Sequence, residues 1–372
     1  MIYLDNAATT YIKPWETYKK IKYCLNKCGG NPGRSSHRLS YGASELIYKT
    51  REAVAEFLGL NDCCGVVFTY NATHALNLAI KSFVTKKCHV IISDLEHNSV
   101  VRPIEELSRR LGVEYSCFDT SLKLEEAISP LVRKDTVGIV STLASNVTGE
   151  TVSLRELSKI AIKHGLFLIV DASQYIGHAM IDLSETPCDV LCAPSHKGLF
   201  GIQGSGVAVF KSTVRGQTLM EGGSGFDSQS PYMPAELPEG HEAGTPATPA
   251  IASLLGGLEF IEGVGVSEIE NRINILEQKL YDRVSSIPRT EVYSHGSGIL
   301  SFNLTGVKSS IVDSLLDKKG ICVRGGLHCA PSAHRKLGTL DRGSVRLSLS
   351  YFNTEGELDK LYKALLDIAK EV

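Results

Sequence analysis

The sequence predicts an α/β fold in which helices flank a mainly parallel sheet, with a smaller α+β domain towards the C-terminus. The first observation is that short apolar runs alternate with amphipathic stretches, beginning with strand 65–70, helix 74–83 and strand 90–93. The second observation is length, because 372 residues exceed what one core normally supports. The alternation continues through strand 136–141, helix 153–164, and strands 166–171, 189–193 and 204–210.

The helix 153–164 has recognisable start and stop signals. Ser153 with Glu156 three residues later forms a capping-box pattern, and Gly165 stands where a helix C-terminus favours glycine. The β-α-β interpretation of this region is therefore locally consistent.

The second domain is predicted from a different element order after a Gly, Pro and Ser-rich stretch at 220–249, whose length suggests a functional or interface loop. We expect a large domain over 14–257 and a small C-terminal domain over 258–372, with segment 1–13 packing against the small one. Its predicted elements are helices 250–264 and 266–287, strand 298–304, helix 309–319, strands 321–324 and 343–349, and helix 354–371.

The composition and the net charge of the chain exclude some classes of function. The chain is 43% hydrophobic and 22% charged with a net charge of -2, so no basic field attracts nucleic acid or anionic lipid. No signal-like or membrane-spanning apolar run is present, and we expect a cytoplasmic protein without a membrane partner. Its ten cysteines are expected to be reduced thiols, and their spacings do not predict a metal site.

Two residues at adjacent strand ends carry the first functional signal. Asp171 ends one apolar strand, and Lys197 follows the next. Ligands of open α/β sheets bind at the carboxyl ends of strands. Pyridoxal 5'-phosphate (PLP) needs a carboxylate at its pyridine nitrogen and an amine that bonds to its aldehyde. Taken alone, a turn Asp and a solvated surface Lys would be the commoner interpretation.

The segments around these residues resemble the class V aminotransferase family of PLP enzymes, which has fold type I. Within that family the chain is most similar to the cysteine desulfurase and selenocysteine lyase subfamily, in its Suf-type group II. The resemblance runs nearly end to end and implies a seven-stranded sheet in the large domain. It rests on Tyr3–Ala8, Ala72–Asn77, Glu96–Asn98, Ser145–Gly149, Asp171–Gln174, Ser195–Gly198, Ala243–Pro246, Arg324–Ala330 and Arg346–Ser350.

The resemblance implies a set of cofactor contacts. Lys197 would bond to PLP, Asp171 would face the pyridine nitrogen, and His97 would stack on the ring and act as an acid or base. It implies that Gln174 and Asn146 contact the ring oxygen. It also implies that the phosphate is bound by Thr73, His74, Ser195 and His196. Thr245 would complete the site of a partner subunit, which implies a homodimer. Pro194 stands where the family more often has a serine.

The resemblance also implies substrate contacts. Arg346 would grip the substrate α-carboxylate, with Asn146 beside it and with Arg324 and His37 at the entrance. Cys329 would take the sulfur of L-cysteine as a persulfide and release L-alanine. The close alternative is a selenocysteine lyase acting on L-selenocysteine, in which C–Se cleavage can proceed without Cys329. In either case an acceptor protein is a possible partner.

Two further alternatives stay open. An aminotransferase or epimerase on the same fold would keep Lys197 and Asp171 but would not need Cys329. A sulfur-carrier scaffold without catalysis would not bond PLP at all. Chemically, a cysteine such as Cys329 is more often a small buried apolar residue than a nucleophile, so the assignment of Cys329 depends on its segment.

Overall fold

A computed structural model describes residues 1–211, 217–226 and 229–371. The strands are β1 (Ile2–Tyr3), β2 (Val66–Thr69), β3 (His89–Ser93), β4 (Glu114–Phe118), β5 (Thr136–Thr142), β6 (Phe167–Asp171), β7 (Val190–Pro194), β8 (Gly206–Phe210), β9 (Thr290–Gly296), β10 (Ile299–Leu304), β11 (Ile321–Cys322), β12 (Arg324–Gly326) and β13 (Ser344–Ser348). The helices are α1 (Trp15–Lys27), α2 (Arg38–Phe57), α3 (Ala72–Phe83), α4 (Asn98–Leu111), α5 (Leu124–Ile128), α6 (Leu154–His164), α7 (Thr248–Val264), α8 (Val266–Ser285), α9 (Ser309–Lys318), α10 (Pro331–Lys336) and α11 (Glu355–Glu371).

A seven-stranded sheet forms the centre of the larger part of the chain, as predicted. Its strand order is β2-β8-β7-β6-β5-β3-β4, and β8 runs antiparallel to both of its neighbours while the other pairings are parallel. Strand β6 shows why its sequence is apolar throughout: Leu168 and Val170 enter one apolar cluster, and Ile169 enters the cluster on the opposite face. A parallel sheet covered on both faces requires this pattern.

The start and stop signals of α6 are confirmed. The hydroxyl of Ser153 accepts a hydrogen bond from the N–H of Glu156 (3.3 Å), and Gly165 ends the helix in the left-handed conformation at φ +65°. Capping of this kind satisfies backbone groups that the helix itself leaves without partners.

The C-terminal part contains a second sheet, with strand order β12-β13-β10-β9 and antiparallel pairing. Helices α8, α9 and α11 contribute to its apolar cluster, which also includes Ile2 and Leu4 from the N-terminus. Strand β1 pairs in parallel with β11. The division at residue 257 stays a prediction.

The predicted strand 321–324 is two strands in the structure. Ile321 and Cys322 pair with β1, whereas the chain from Arg324 onward pairs with β13. The apolar pattern of a strand indicates which residues are buried but not which strand lies next to it. The change of pairing partner between Cys322 and Arg324 could therefore not be predicted from the sequence.

The length and the composition of a helix decide whether it can cross a membrane. Within the described residues, no single helix is long and apolar enough to cross a membrane. The consecutive helices α7 and α8 reach that length and composition only together, with a bend of 82° between them.

Candidate active site

A cavity of about 230 Å³ opens where the carboxyl ends of the central strands meet the start of α3 and α4. The second sheet closes it with side chains from β12 and β13. Nine of the predicted site residues lie at its wall: Thr73, His97, Asn146, Asp171, Gln174, His196, Lys197, Arg324 and Arg346. Pro194 and, from the predicted cysteine segment, His328 also line it.

Asp171 and Lys197 lie together in this cavity, as the strand-end argument predicted. Asp171 is 3% exposed, and its Oδ1 accepts a hydrogen bond from the N–H of Ser173 (2.9 Å). Burial disfavours the ammonium and lowers the pKa of Lys197 to about 8, against an opposing effect of the Asp171 charge. A buried amine of lowered pKa is a better nucleophile at neutral pH than a surface lysine.

The charges around Asp171 test whether the residues fit PLP. A buried carboxylate normally has a cation beside it, yet Asp171 forms no ion pair with any Lys, Arg or His in the part of the chain that the structure describes. A protonated pyridine nitrogen would supply that missing charge. The donor set therefore fits the cofactor.

His97 stands at the start of α4 and lines the same cavity. Its Nδ1 accepts a hydrogen bond from the N–H of Ser99 (3.1 Å) and lies 2.9 Å from the Ser99 hydroxyl. Burial lowers the pKa of His97 to about 4, so the ring is neutral at physiological pH. The Ser99 hydroxyl is also 2.8 Å from that of Thr73. Ser99, which the sequence reasoning missed, thus joins the starts of two helices.

The start of α3 differs in detail from the prediction. The N-cap is Asn71, whose side-chain oxygen accepts a hydrogen bond from the N–H of His74 (2.9 Å), while Thr73 lines the cavity. The His74 ring lies elsewhere, stacked on Tyr70 at 5.2 Å between centroids. The positive end of the helix dipole is nevertheless directed at the cavity, as anion binding requires.

Two amide side chains are fixed by backbone carbonyls. Gln174 donates to the carbonyl of Ala7 (2.9 Å) and Asn146 donates to that of His328 (2.7 Å). Each amide keeps one N–H and its oxygen for another partner. Both residues are buried and line the cavity.

Among the described residues, Arg346 is the largest side chain that is almost fully buried, at 1% exposure. Its guanidinium donates to the carbonyl of Asn146 (3.0 Å) and to Oδ1 of Asp5 (2.6 Å). Burial lowers its pKa, and the Asp5 charge opposes that effect. Its Nε is buried without a hydrogen-bond partner in the described residues. An orphaned charged donor at a cavity wall is suited to a carboxylate ligand.

Cys329 lies beyond the cavity lining, on the loop that joins β12 to α10. It is exposed, and both His328 (φ +51°) and Cys329 (φ +58°) have left-handed backbones. Such conformations cost energy in residues other than glycine and persist where surrounding contacts enforce them. Here the N–H of Asn98 donates to the carbonyl of Cys329 (2.8 Å). Cys329 is thereby held one residue from the cavity wall.

The imidazole of His328, next to Cys329 in the chain, does not place a positive charge beside the thiol. Its Nε2 lies 3.1 Å from the carbonyl of Ser344, and burial holds its pKa far below the usual range. The ring is therefore neutral and does not favour a thiolate at Cys329.

Besides Cys329, four predicted residues do not reach the cavity wall. The Ser195 hydroxyl is buried against Ser205 at 2.5 Å, and the His74 ring points elsewhere as described. Thr245 is exposed and accepts a weak hydrogen bond from Asn31 (3.5 Å). His37 is exposed at the start of α2.

Comparison with known proteins defines the class. The family model described as "Aminotransferase class-V" matches residues 2–361, and the chain belongs to this family. Enzymes of the family generally depend on PLP.

Three proteins that are similar to this chain are named as cysteine desulfurases. A probable cysteine desulfurase from Methanothermobacter thermautotrophicus is 30% identical over 99% of this chain and 94% of its own length. The apo structure of a cysteine desulfurase from Thermococcus onnurineus matches with a TM-score of 0.90 at 27% identity, covering 100% of this chain and 95% of that one. A cysteine desulfurase structure from Escherichia coli matches with a TM-score of 0.87 at 25% identity, covering 99% and 94%.

Proposed function

We propose that this chain is a PLP-dependent cysteine desulfurase, which converts L-cysteine to L-alanine and retains the sulfur as a persulfide on Cys329. The observation that carries the proposal is that Asp171 and Lys197 are buried in one cavity, while the carboxylate forms no ion pair within the described part of the chain. Relatives and structural neighbours named cysteine desulfurase support the choice of reaction.

The residues that would hold the cofactor lie around one cavity. Lys197 would bond to PLP, Asp171 would pair with its pyridine nitrogen, and His97 would cover the ring. Gln174 and Asn146 would contact the ring oxygen, and Thr73 and His196 would contact the phosphate. When bound, PLP supplies an electron sink that stabilises negative charge at the substrate α-carbon.

The substrate would be positioned by its carboxylate. The buried guanidinium of Arg346 has an Nε without a partner in the part of the chain that the structure describes. A bidentate contact from this fixed planar group would orient the α-carbon towards Lys197. Lys197, as the buried amine of lowered pKa, would accept the α-proton. Arg324 and His37 remain candidates for the entrance.

Sulfur transfer would take place at Cys329. Its thiolate sulfur would form a bond to the substrate sulfur while the bond from that sulfur to the β-carbon breaks. The electron pair of the broken bond would stay with the β-carbon, which takes up a proton on the way to alanine. The transferred sulfur would then pass from the exposed Cys329 to an acceptor protein.

A second copy of the chain is part of this proposal, with Thr245 of each copy reaching the site of the other. Thr245 is exposed, as that role requires. The N-terminal region also exposes many large apolar side chains, which suits an interface. They are Tyr11, Ile12, Trp15, Tyr18, Tyr23, Leu25, Leu39, Tyr41 and Tyr48.

The alternatives are less well supported. The relatives are named for cysteine, which does not favour a selenocysteine lyase as the main activity. An aminotransferase or epimerase would leave the strained backbone at Cys329 without a purpose. A scaffold without catalysis would leave Lys197 buried for no chemical reason.

The test compares Cys329→Ser with Cys117→Ser, a control at another exposed cysteine, and measures alanine release from L-cysteine and L-selenocysteine. We expect Cys329→Ser to abolish alanine release from cysteine and Cys117→Ser to leave it unchanged. Unchanged cysteine turnover in Cys329→Ser would refute the persulfide mechanism. Absence of visible PLP absorbance in the wild type, or its persistence in Lys197→Ala, would refute the cofactor assignment.

A further inference from the structure

The carbonyl oxygen of His196, which directly precedes the proposed catalytic lysine, is surrounded by donors from the N-terminal segment. The N–H of Thr10 donates to it at 3.1 Å and the hydroxyl of Thr9 lies at 3.2 Å. The ammonium of Lys13 donates to it at 3.0 Å. A carbonyl has two lone pairs, so this oxygen has more donors than it needs.

Thr10 extends the same contact to the next peptide. Its hydroxyl lies 3.1 Å from the carbonyl of His196 and 3.2 Å from that of Lys197, and it can donate to one of them at a time. Lys13 donates to that hydroxyl at 2.5 Å, which directs the hydroxyl proton towards the carbonyls. Thr10 is only 2% exposed. We call Thr9–Lys13 the N-terminal clamp.

Lys13 is an unusual choice for a purely structural position. It forms no ion pair with a carboxylate in the described residues, and burial lowers its pKa to about 7. Taking an ammonium out of water costs free energy unless a charge compensates it. An apolar side chain of similar length would avoid that cost, and the carbonyl of His196 would still have its other donors.

We infer that the N-terminal clamp positions the Lys197 side chain, with Lys13 and Thr10 as positioning residues that act through the backbone of His196 and Lys197. This inference rests on the proposed function of Lys197. A proton acceptor must be held closely, since a displacement of about 1 Å can cost about 100-fold in rate. The clamp fixes the two peptides that carry the lysine while leaving its side chain free to move between cofactor and substrate.

The test uses full-length protein and two pairs of variants. Lys13→Met removes the ammonium at similar length, and Lys19→Met is its control on the exposed surface of α1. Thr10→Val removes the hydroxyl at constant shape, and Thr10→Ser restores it. Amide hydrogen exchange across 195–201 is measured without added cofactor, and kcat and KM for L-cysteine are measured in the holoenzyme.

We expect Lys13→Met and Thr10→Val to speed exchange in 195–201 by about tenfold, the effect of losing a buried hydrogen bond. In the holoenzyme kcat should fall by about tenfold or more while KM changes by less than about twofold, because substrate binding is not altered. Lys19→Met and Thr10→Ser should match the wild type, and the melting temperature of Lys13→Met should not fall.

Unchanged local exchange in both Lys13→Met and Thr10→Val would overturn the inference, as would an unchanged kcat. Faster exchange throughout the chain with a lower melting temperature would also overturn it, because Lys13 would then serve general stability. If the wild type does not act on cysteine, the proposed function fails, and the exchange measurement still decides whether the clamp exists.

Discussion

Arg346 and Asp5, which are 341 positions apart, form a partly buried charge-assisted hydrogen bond of 2.6 Å beside the candidate substrate site. The pair fixes one end of the guanidinium, and the carbonyl of Asn146 fixes another at 3.0 Å. The Nε, which has no hydrogen-bond partner among the described residues, is thereby held in one orientation before any substrate arrives. Preorganisation of this kind lowers the entropic cost of binding.

Replacing Arg346 by Lys should impair substrate binding more than the chemical step. Lysine keeps the positive charge but loses the planar set of donors, so it cannot contact Asp5, Asn146 and a carboxylate together. We expect kcat/KM for L-cysteine to fall by about 100-fold, mostly through KM, in line with the loss of charge-assisted hydrogen bonds. Steady-state kinetics with L-cysteine measure this.

Arg272→Lys is the matched control. Arg272 also uses two guanidinium contacts, to the carbonyls of Tyr351 (2.6 Å) and Asn353 (3.0 Å), but it does not line the cavity. Its kinetics should stay close to those of the wild type. Equal losses in both variants would assign Arg346 to folding and not to the substrate.

The comparison of sequence and structure shows where local patterns are informative. Apolar runs predicted β6 and β7, and from their ends the Asp171 and Lys197 pair followed, because neighbouring parallel strands end at one edge of the sheet. The Asp5–Arg346 contact could not be predicted in this way, since it depends on the N-terminal segment pairing with β11 and bridging from Asp5 to Ser348 at the end of β13. The direction of the His74 ring was likewise decided by its neighbour Tyr70.

The burial of the Glu96 carboxyl predicts that the stability of the folded protein depends on pH. Its Oε1 accepts hydrogen bonds from the Ser93 hydroxyl (2.5 Å) and the Thr142 N–H (2.8 Å), and its Oε2 is buried without a partner in the described residues. Burial, with a smaller contribution from the Asp171 charge, raises the pKa of Glu96 from 4.5 to about 8. The folded protein therefore keeps a proton that the unfolded chain loses near pH 4.5.

Between these two pKa values the folded state binds more protons than the unfolded state, so the contribution of Glu96 to stability decreases as the pH rises towards 8. Glu96→Gln keeps an oxygen for Ser93 and Thr142 but cannot ionise. We expect its melting temperature relative to the wild type to increase from pH 5 to pH 8. Thermal denaturation at several pH values measures this, with Glu56→Gln on the exposed face of α2 as control. A difference that is constant with pH would show that Glu96 is ionised throughout.

The close contact between Gly177 and the backbone next to Lys197 predicts that position 177 cannot carry a side chain. Gly177 has φ +80°, and a Cβ there would lie 2.2 Å from the carbonyl oxygen of Gly198, the residue after the lysine. Gly165 has a similar φ of +65° but open space around it. Both alanine variants carry the cost of the left-handed conformation, about 1 kcal/mol, whereas only Gly177→Ala must also displace the Lys197 loop.

We therefore expect Gly165→Ala to lose about 1 kcal/mol of unfolding free energy and to retain PLP as the wild type does. Gly177→Ala should lose more stability and release PLP faster, because the amine of Lys197 moves away from Asp171 and the start of α3. Denaturant titration measures the first effect, and the decay of the visible PLP absorbance on dilution measures the second. Equal PLP retention in the two variants would mean that the contact between Gly177 and Gly198 does not position the lysine, and that the N-terminal clamp holds it alone.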